Sequence, residues 1–102
     1  MKIVNSEEFN EITKEGVTLV DFFATWCGPC RIMAGILEEA GKDLSSKANV
    51  VKVDVDEEDV LARSFGIMSI PTLIIFKDGN LVEKHVGVWQ KDDCVAAVKK
   101  YL

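Results

Sequence analysis

Val17-Thr18-Leu19-Val20-Asp21-Phe22-Phe23-Ala24, followed at once by Thr25-Trp26-Cys27-Gly28-Pro29-Cys30, carries the clearest structural signal in the chain. Apolar residues run nearly unbroken from Val17 to Ala24, the pattern of a strand buried on both faces. Gly28-Pro29 then shapes a first helical turn, where proline is tolerated because its missing N–H would have no intrahelical partner. From Cys30 to about Ser45, Met33, Leu37, Ala40 and Leu44 recur at steps of four, three and four, which marks one buried helical stripe.

Outward from this strand–helix unit, strands and helices alternate to both ends. Lys2–Val4 reads as a short strand. Asn5 or Ser6 caps a helix to about Glu15, with Glu8 three residues after Asn5 as in a capping box and Phe9 and Ile12 facing the core. Gly16 ends that helix. Val50–Val55 is a β-branched strand. Asp56 is expected to cap a short helix through Phe65, with Leu61 and Phe65 on one face. Thr72–Phe76 and Leu81–Val88 are strands joined through Lys77-Asp78-Gly79-Asn80, which contains the Asp-Gly signal of a tight hairpin. A helix over Lys91–Tyr101 closes the chain. The order β-α-β-α-β-α-β-β-α predicts an α/β fold. Its mixed five-stranded sheet has the first three strands parallel and the last two as an antiparallel hairpin, flanked by four helices.

The chain has 102 residues, of which 48% are hydrophobic and 28% charged. That size suits one domain, residues 1–102, with a modest core. Seventeen acids against twelve bases give a net charge of −5. This disfavours nucleic acid, whose phosphates need a basic surface. No apolar run approaches the roughly 18 residues of a membrane span. Three cysteines are too few for a disulfide scaffold. The N-terminus turns acidic at Glu7-Glu8 and shows no apolar segment of a secretory signal. The expected location is therefore the cytoplasm, where thiols stay reduced unless they are working.

Cys27-Gly28-Pro29-Cys30 is the motif with strong chemistry. Two intervening residues let the thiols approach bonding distance at a helix start, where unpaired N–H groups and the helix dipole favour an anion. Cys27, just before the helix, is the expected attacking thiolate. Cys30, one turn in and expected to be more buried, is the resolving thiol. The alternative is half of a zinc site, but zinc needs two further ligands, and the remaining Cys and His residues are Cys94 and His85.

Essentially the whole chain resembles the thioredoxin family, through Val20-Asp21-Phe22-Phe23-Ala24-Thr25-Trp26-Cys27-Gly28-Pro29-Cys30, Lys52-Val53-Asp54, Ile70-Pro71-Thr72 and Gly87. The resemblance implies a thioredoxin fold and a protein disulfide reductase, a redox carrier with no bound cofactor. Its Cys27–Cys30 disulfide would be re-reduced by a thioredoxin reductase, an NADPH-dependent flavoprotein. The implied partners are that reductase and disulfide-containing proteins, met by a monomer. Two rivals use the same scaffold. One is an oxidase or isomerase of an oxidising compartment, and the other is a subunit that clamps a partner whatever its redox state.

The resemblance also assigns roles. Asp21, Phe23 and Thr25 share a strand face by alternation, so Asp21 points toward the helix carrying Cys30. The family places a buried, proton-relaying aspartate there, and Lys52 approaches it from the neighbouring strand. The Ile70–Pro71 bond is expected to be cis and to lie against the cysteines, with Ile70 offering its backbone to an extended substrate. Trp26, Gly28, Pro29, Ile70, Pro71, Gly87 and also Met68 form the expected apolar collar, in which Gly87 lets another backbone approach. Trp89 is placed near this face, either widening the docking surface or covering the last helix. Cys94 reads as a small buried hydrophobe where the family usually has an apolar residue. His85 reads as a surface strand residue, and the five acids in Asp54–Asp59 as a solvated rim. Gly35 stands where the family usually has a helix-kinking proline, and Gly41 adds a second weak point.

Overall fold

The computed structural model describes residues 1–102. Its elements are β1 (Lys2–Ile3), α1 (Ser6–Thr13), β2 (Val17–Phe23), α2 (Gly28–Leu44), β3 (Asn49–Asp54), α3 (Asp59–Ser64), β4 (Thr72–Lys77), β5 (Asn80–Val86) and α4 (Lys91–Lys99). One sheet runs in the order β1-β3-β2-β4-β5. β3 lies parallel to both β1 and β2, while β4 is antiparallel to β2 and β5. The expected parallel trio and closing hairpin are both present. No helix is long and apolar enough to cross a membrane.

Every residue of β2 is buried, because it is the central strand and helices cover both faces. Its alternation sorts the core. Val17 and Leu19 pack with Met33, Leu37, Ala40 and Leu44 of α2 and with Cys94, Val95 and Val98 of α4. Val20 and Phe22 face the opposite way, into a cluster with Phe9 of α1 and Ala62 of α3. Phe9, Phe65 and Phe76 meet there edge to face, with ring centroids 5.3–5.6 Å apart.

The local signals act as expected at two turns. The Asn5 side chain accepts the Glu8 N–H at 2.9 Å, and Glu8 Oε1 accepts the Asn5 N–H at 3.1 Å, completing the capping box. Asp78 and Gly79 form the two-residue hairpin loop with φ of 49° and 87°, the left-handed values such a loop requires.

Asp56 does not cap α3, contrary to expectation. That helix begins three residues later, with Glu58 at the N-cap position and no side-chain cap. The Glu58 carboxylate instead accepts the backbone N–H and the hydroxyl of Ser6 at the start of α1. This tie to another helix draws the acid away from its own helix end. α2 begins at Gly28, two residues before the expected start, and runs unbroken through Gly35 and Gly41 to Leu44.

Candidate active site

The C-terminal end of β2 and the start of α2 build the site. Cys27 is the N-cap of α2, with extended backbone (φ −88°, ψ 118°), and its Sγ accepts the Cys30 N–H at 3.2 Å. The sulfur thus occupies the place where a serine or aspartate oxygen ordinarily satisfies a free helical N–H. Cys27 and Cys30 are joined as a disulfide with Cα atoms 5.2 Å apart. Both are buried, at 5% and 2% exposure, so the expected contrast in burial between them is slight. What distinguishes Cys27 is its position outside the helix and its surroundings. Its sulfur lies 3.9 Å from the Ile70 carbonyl oxygen. Phe23, Ala24, Val55 and Ile70 pack around the pair.

The Ile70–Pro71 bond is cis, and Pro71 is buried. The Pro71 carbonyl accepts the Gly87 N–H at 2.8 Å, which holds the start of β4 against the end of β5. Gly87 has φ of 95°, a conformation that favours glycine. Gly28 and Pro29 are exposed on the first turn of α2. Trp26, next to Cys27 in the chain, is 67% exposed, and Met68, on the segment leading to Ile70, is 96% exposed. Large apolar side chains left in solvent beside a reactive group mark a contact surface.

Asp21 lies on the α2/α4 face of the sheet, in line with Leu19 and Phe23, as alternation predicts. It is fully buried, and neither carboxyl oxygen has a hydrogen-bond partner. Burial raises its pKa from the ordinary 3.8 to about 7, with the positive charge of Lys52 opposing the rise. Lys52 is the register neighbour of Asp21 on β3 but makes no ion pair with it. Its Nζ sits 4.1 Å from the centroid of the Phe23 ring. Lys52, Phe23, Thr25, Cys30, Arg31 and Ala34 line a cleft of about 200 Å³ that reaches Cys30 from the β3 side.

The acidic run contributes one group that sequence reading missed. Asp56 Oδ2 accepts the Trp26 indole N–H at 2.8 Å, which fixes an exposed ring beside the disulfide. Trp89 is 8% exposed and belongs to the core between α2 and α4, so it covers the last helix and does not widen the collar. Its backbone N–H points at Met33 Sδ, 3.2 Å away. His85 is half-buried with its ring stacked on Trp89, centroids 4.5 Å apart and planes within 5°, so it is less free than a plain surface residue. Cys94 is fully buried, as expected. No three His, Cys, Asp or Glu side chains converge as a metal-ligand set.

Comparison with known proteins agrees with this geometry. The family model described as Thioredoxin matches residues 1–100. A thioredoxin of Staphylococcus saprophyticus is 48% identical over 99 residues, covering 97% of this chain and 95% of its own. One of Staphylococcus aureus is 46% identical with the same coverage. Among solved structures, a Plasmodium falciparum thioredoxin superimposes with a TM-score of 0.90 at 36% identity, with both chains fully covered. A Halobacterium salinarum thioredoxin variant gives 0.90 at 34%, covering 99% of this chain and 88% of its own.

Proposed function

Since the chain belongs to the thioredoxin family and is a thiol–disulfide oxidoreductase with Cys27 and Cys30 as its redox pair, we propose that it is a general protein disulfide reductase of the cytoplasm. Acting as one domain and as a monomer, it carries electrons from an NADPH-dependent flavoprotein reductase to disulfide-bonded proteins. The observation that carries this reading is a cysteine at a helix N-cap, its sulfur facing the Ile70 carbonyl and its neighbour Trp26 exposed to solvent.

The reaction follows from that placement. The Cys27 thiolate, favoured by the Cys30 N–H and the α2 N-terminus, attacks one sulfur of the substrate disulfide. A Cys27–substrate disulfide forms, and the other substrate sulfur leaves as a thiolate that takes up a proton. The Asp21 carboxylate then accepts the Cys30 proton, a task suited to a group titrating near neutrality. The Cys30 thiolate attacks Cys27 Sγ, the second substrate thiolate departs, and Cys27–Cys30 is left oxidised. Two electrons have passed to the substrate. Lys52 moderates the Asp21 charge from β3. Gly28, Pro29, Trp26, Pro71 and Gly87 shape the docking surface, on which the Ile70 backbone pairs with an extended substrate segment in the manner of strand addition.

Trapping tests the assignment. A Cys30→Ser variant mixed with oxidised insulin should accumulate a mixed disulfide at Cys27, and the unmodified protein should reduce insulin catalytically when supplied with a bacterial thioredoxin reductase and NADPH. A trapped adduct at Cys94, or catalytic reduction that survives replacement of both Cys27 and Cys30 by serine, would refute it.

A further inference from the structure

Residues 87–90 lead from β5 to α4 and belong to neither element. Their path is fixed peptide by peptide. Gly87 supplies the left-handed turn, and its N–H is bonded to the Pro71 carbonyl. The next peptide unit, the Gly87 carbonyl with the Val88 N–H, makes no hydrogen bond within the chain. The unit after it is held at both ends. Its Val88 carbonyl lies 3.2 Å from His85 Nε2, and its Trp89 N–H points at Met33 Sδ, also 3.2 Å away. Alternation along β5 puts His85 in reach of this turn. His85 pairs with Leu73 of β4 and so shares the sheet face turned to α2 and α4. Lys84 takes the other face, where its Nζ meets the Phe65 carbonyl. The His85 ring stacks on Trp89, whose indole is locked in the core and gives the imidazole a fixed platform.

We infer that His85 is a positioning residue for substrate docking: its imidazole clamps the Val88–Trp89 peptide and thereby orients the unbonded Gly87–Val88 peptide beside Pro71. The inference rests on the docking surface proposed above. A carbonyl oxygen only accepts, so the contact with Val88 requires the proton on Nε2. Glycine leaves the following peptide plane free to rotate, and a plane that rotates must be ordered when a partner binds. Fixing the peptides on both sides of the Gly87–Val88 unit removes that cost before binding, which is preorganisation of a docking edge. His85 touches neither sulfur nor Asp21 in this arrangement, so it acts on binding and leaves the exchange chemistry to Cys27 and Cys30.

Two variants separate the hydrogen bond from the stack. His85→Phe keeps an aromatic ring on Trp89 but has no donor, whereas His85→Gln keeps an N–H donor and gives up the ring. Each protein, reduced beforehand, is mixed with excess insulin, and its oxidation is followed over a range of insulin concentrations. His85→Phe should raise the half-saturating insulin concentration roughly three- to tenfold, the worth of one hydrogen bond, and leave the limiting rate within about twofold. His85→Gln should stay within about twofold of the unmodified protein in both quantities. Equal losses in the two variants would assign the effect to packing and refute the clamp. So would a fall in limiting rate at unchanged half-saturation, or no change in His85→Phe. The unmodified protein gives a check that needs no variant: ¹⁵N NMR at pH 8 should show the His85 ring protonated at Nε2, and a ring protonated at Nδ1 alone would overturn the inference. The docking surface is tested apart from His85 by the insulin adduct of Cys30→Ser, in which the Gly87 and Val88 amide signals should shift. If they stay fixed, the surface and the inference fail together. If they shift while His85→Phe docks insulin normally, the inference alone fails.

Discussion

Replacing Asp21 with asparagine keeps the side-chain volume and removes the buried charge, which makes it the most direct test of how the site is built. The carboxyl is fully buried without a hydrogen bond, and its pKa rises from 3.8 to about 7. A raised acid pKa means that the folded state binds the proton more tightly than the unfolded chain. The protonated group's contribution to stability is therefore complete below about pH 4 and is lost as pH rises to about 7. The rise spans about three pH units at about 1.4 kcal/mol each, so the loss is on the order of 4 kcal/mol above pH 8. The asparagine amide has its own desolvation cost, but that cost does not vary with pH. Urea unfolding of the two oxidised proteins, measured from pH 4 to pH 9, should thus show a stability difference that grows in favour of Asp21→Asn and levels off above about pH 7. Between pH 4 and the plateau the separation of the two unfolding midpoints should change by roughly 2 M in favour of the variant, given the usual slope for a small domain. A difference that stays constant across this range would refute a buried, proton-binding Asp21. So would a wild type that gains on the variant as pH rises.

Two further outcomes follow from packing. A Cβ added at Gly35 meets no atom within 4 Å, so Gly35→Ala should stabilise α2 by about 0.5–1 kcal/mol without altering Cys27 alkylation in the reduced protein; a loss of stability would show that the helix needs glycine there. Trp26 is exposed beside the disulfide and Trp89 is core, so Trp26→Phe should abolish most of the redox-linked change in fluorescence at little cost to stability. Trp89→Ala should instead cost about 3 kcal/mol or more and keep the redox signal, and the reverse pattern would refute these placements.

Most of the architecture was legible because periodicity reports local faces. The unbroken apolar run of β2, the spaced stripe of α2 and the Asp78-Gly79 turn each encode their own geometry within a few residues. The redox pair was legible for the same reason, since two residues of spacing at a helix start fix the relation of Cys27 to Cys30. What escaped are contacts made across long separations. Asp56 was read as a helix cap, but it meets Trp26, 30 residues away. Glu58 meets Ser6 across 52 residues, and the Trp89 backbone meets Met33 across 56. An acidic residue in a run of acids satisfies several local patterns equally well. The choice among them depends on which donor the fold brings near, and that is a tertiary property.

β2 explains why the proposed base and the reactive sulfurs can share one end of so small a core. Odd positions of the strand face α2 and α4: Val17 and Leu19 fill the interior, Asp21 stands at its edge, and Phe23 packs against the cysteine pair. A carboxyl two residues deeper would lie among the leucines of the main cluster, with no neighbouring lysine to moderate it. A slip of one residue would send it to the phenylalanine cluster on the other face, because strand periodicity exchanges the faces completely. At position 21 it is buried enough to titrate near neutrality, and it lies close enough to Lys52 for that charge to limit the rise. The helix that caps itself with Cys27 starts from the end of this same strand. The strand that sets the depth of Asp21, the proposed proton acceptor, therefore also sets the position of Cys27, the proposed nucleophile, and a change in β2 register would displace both together.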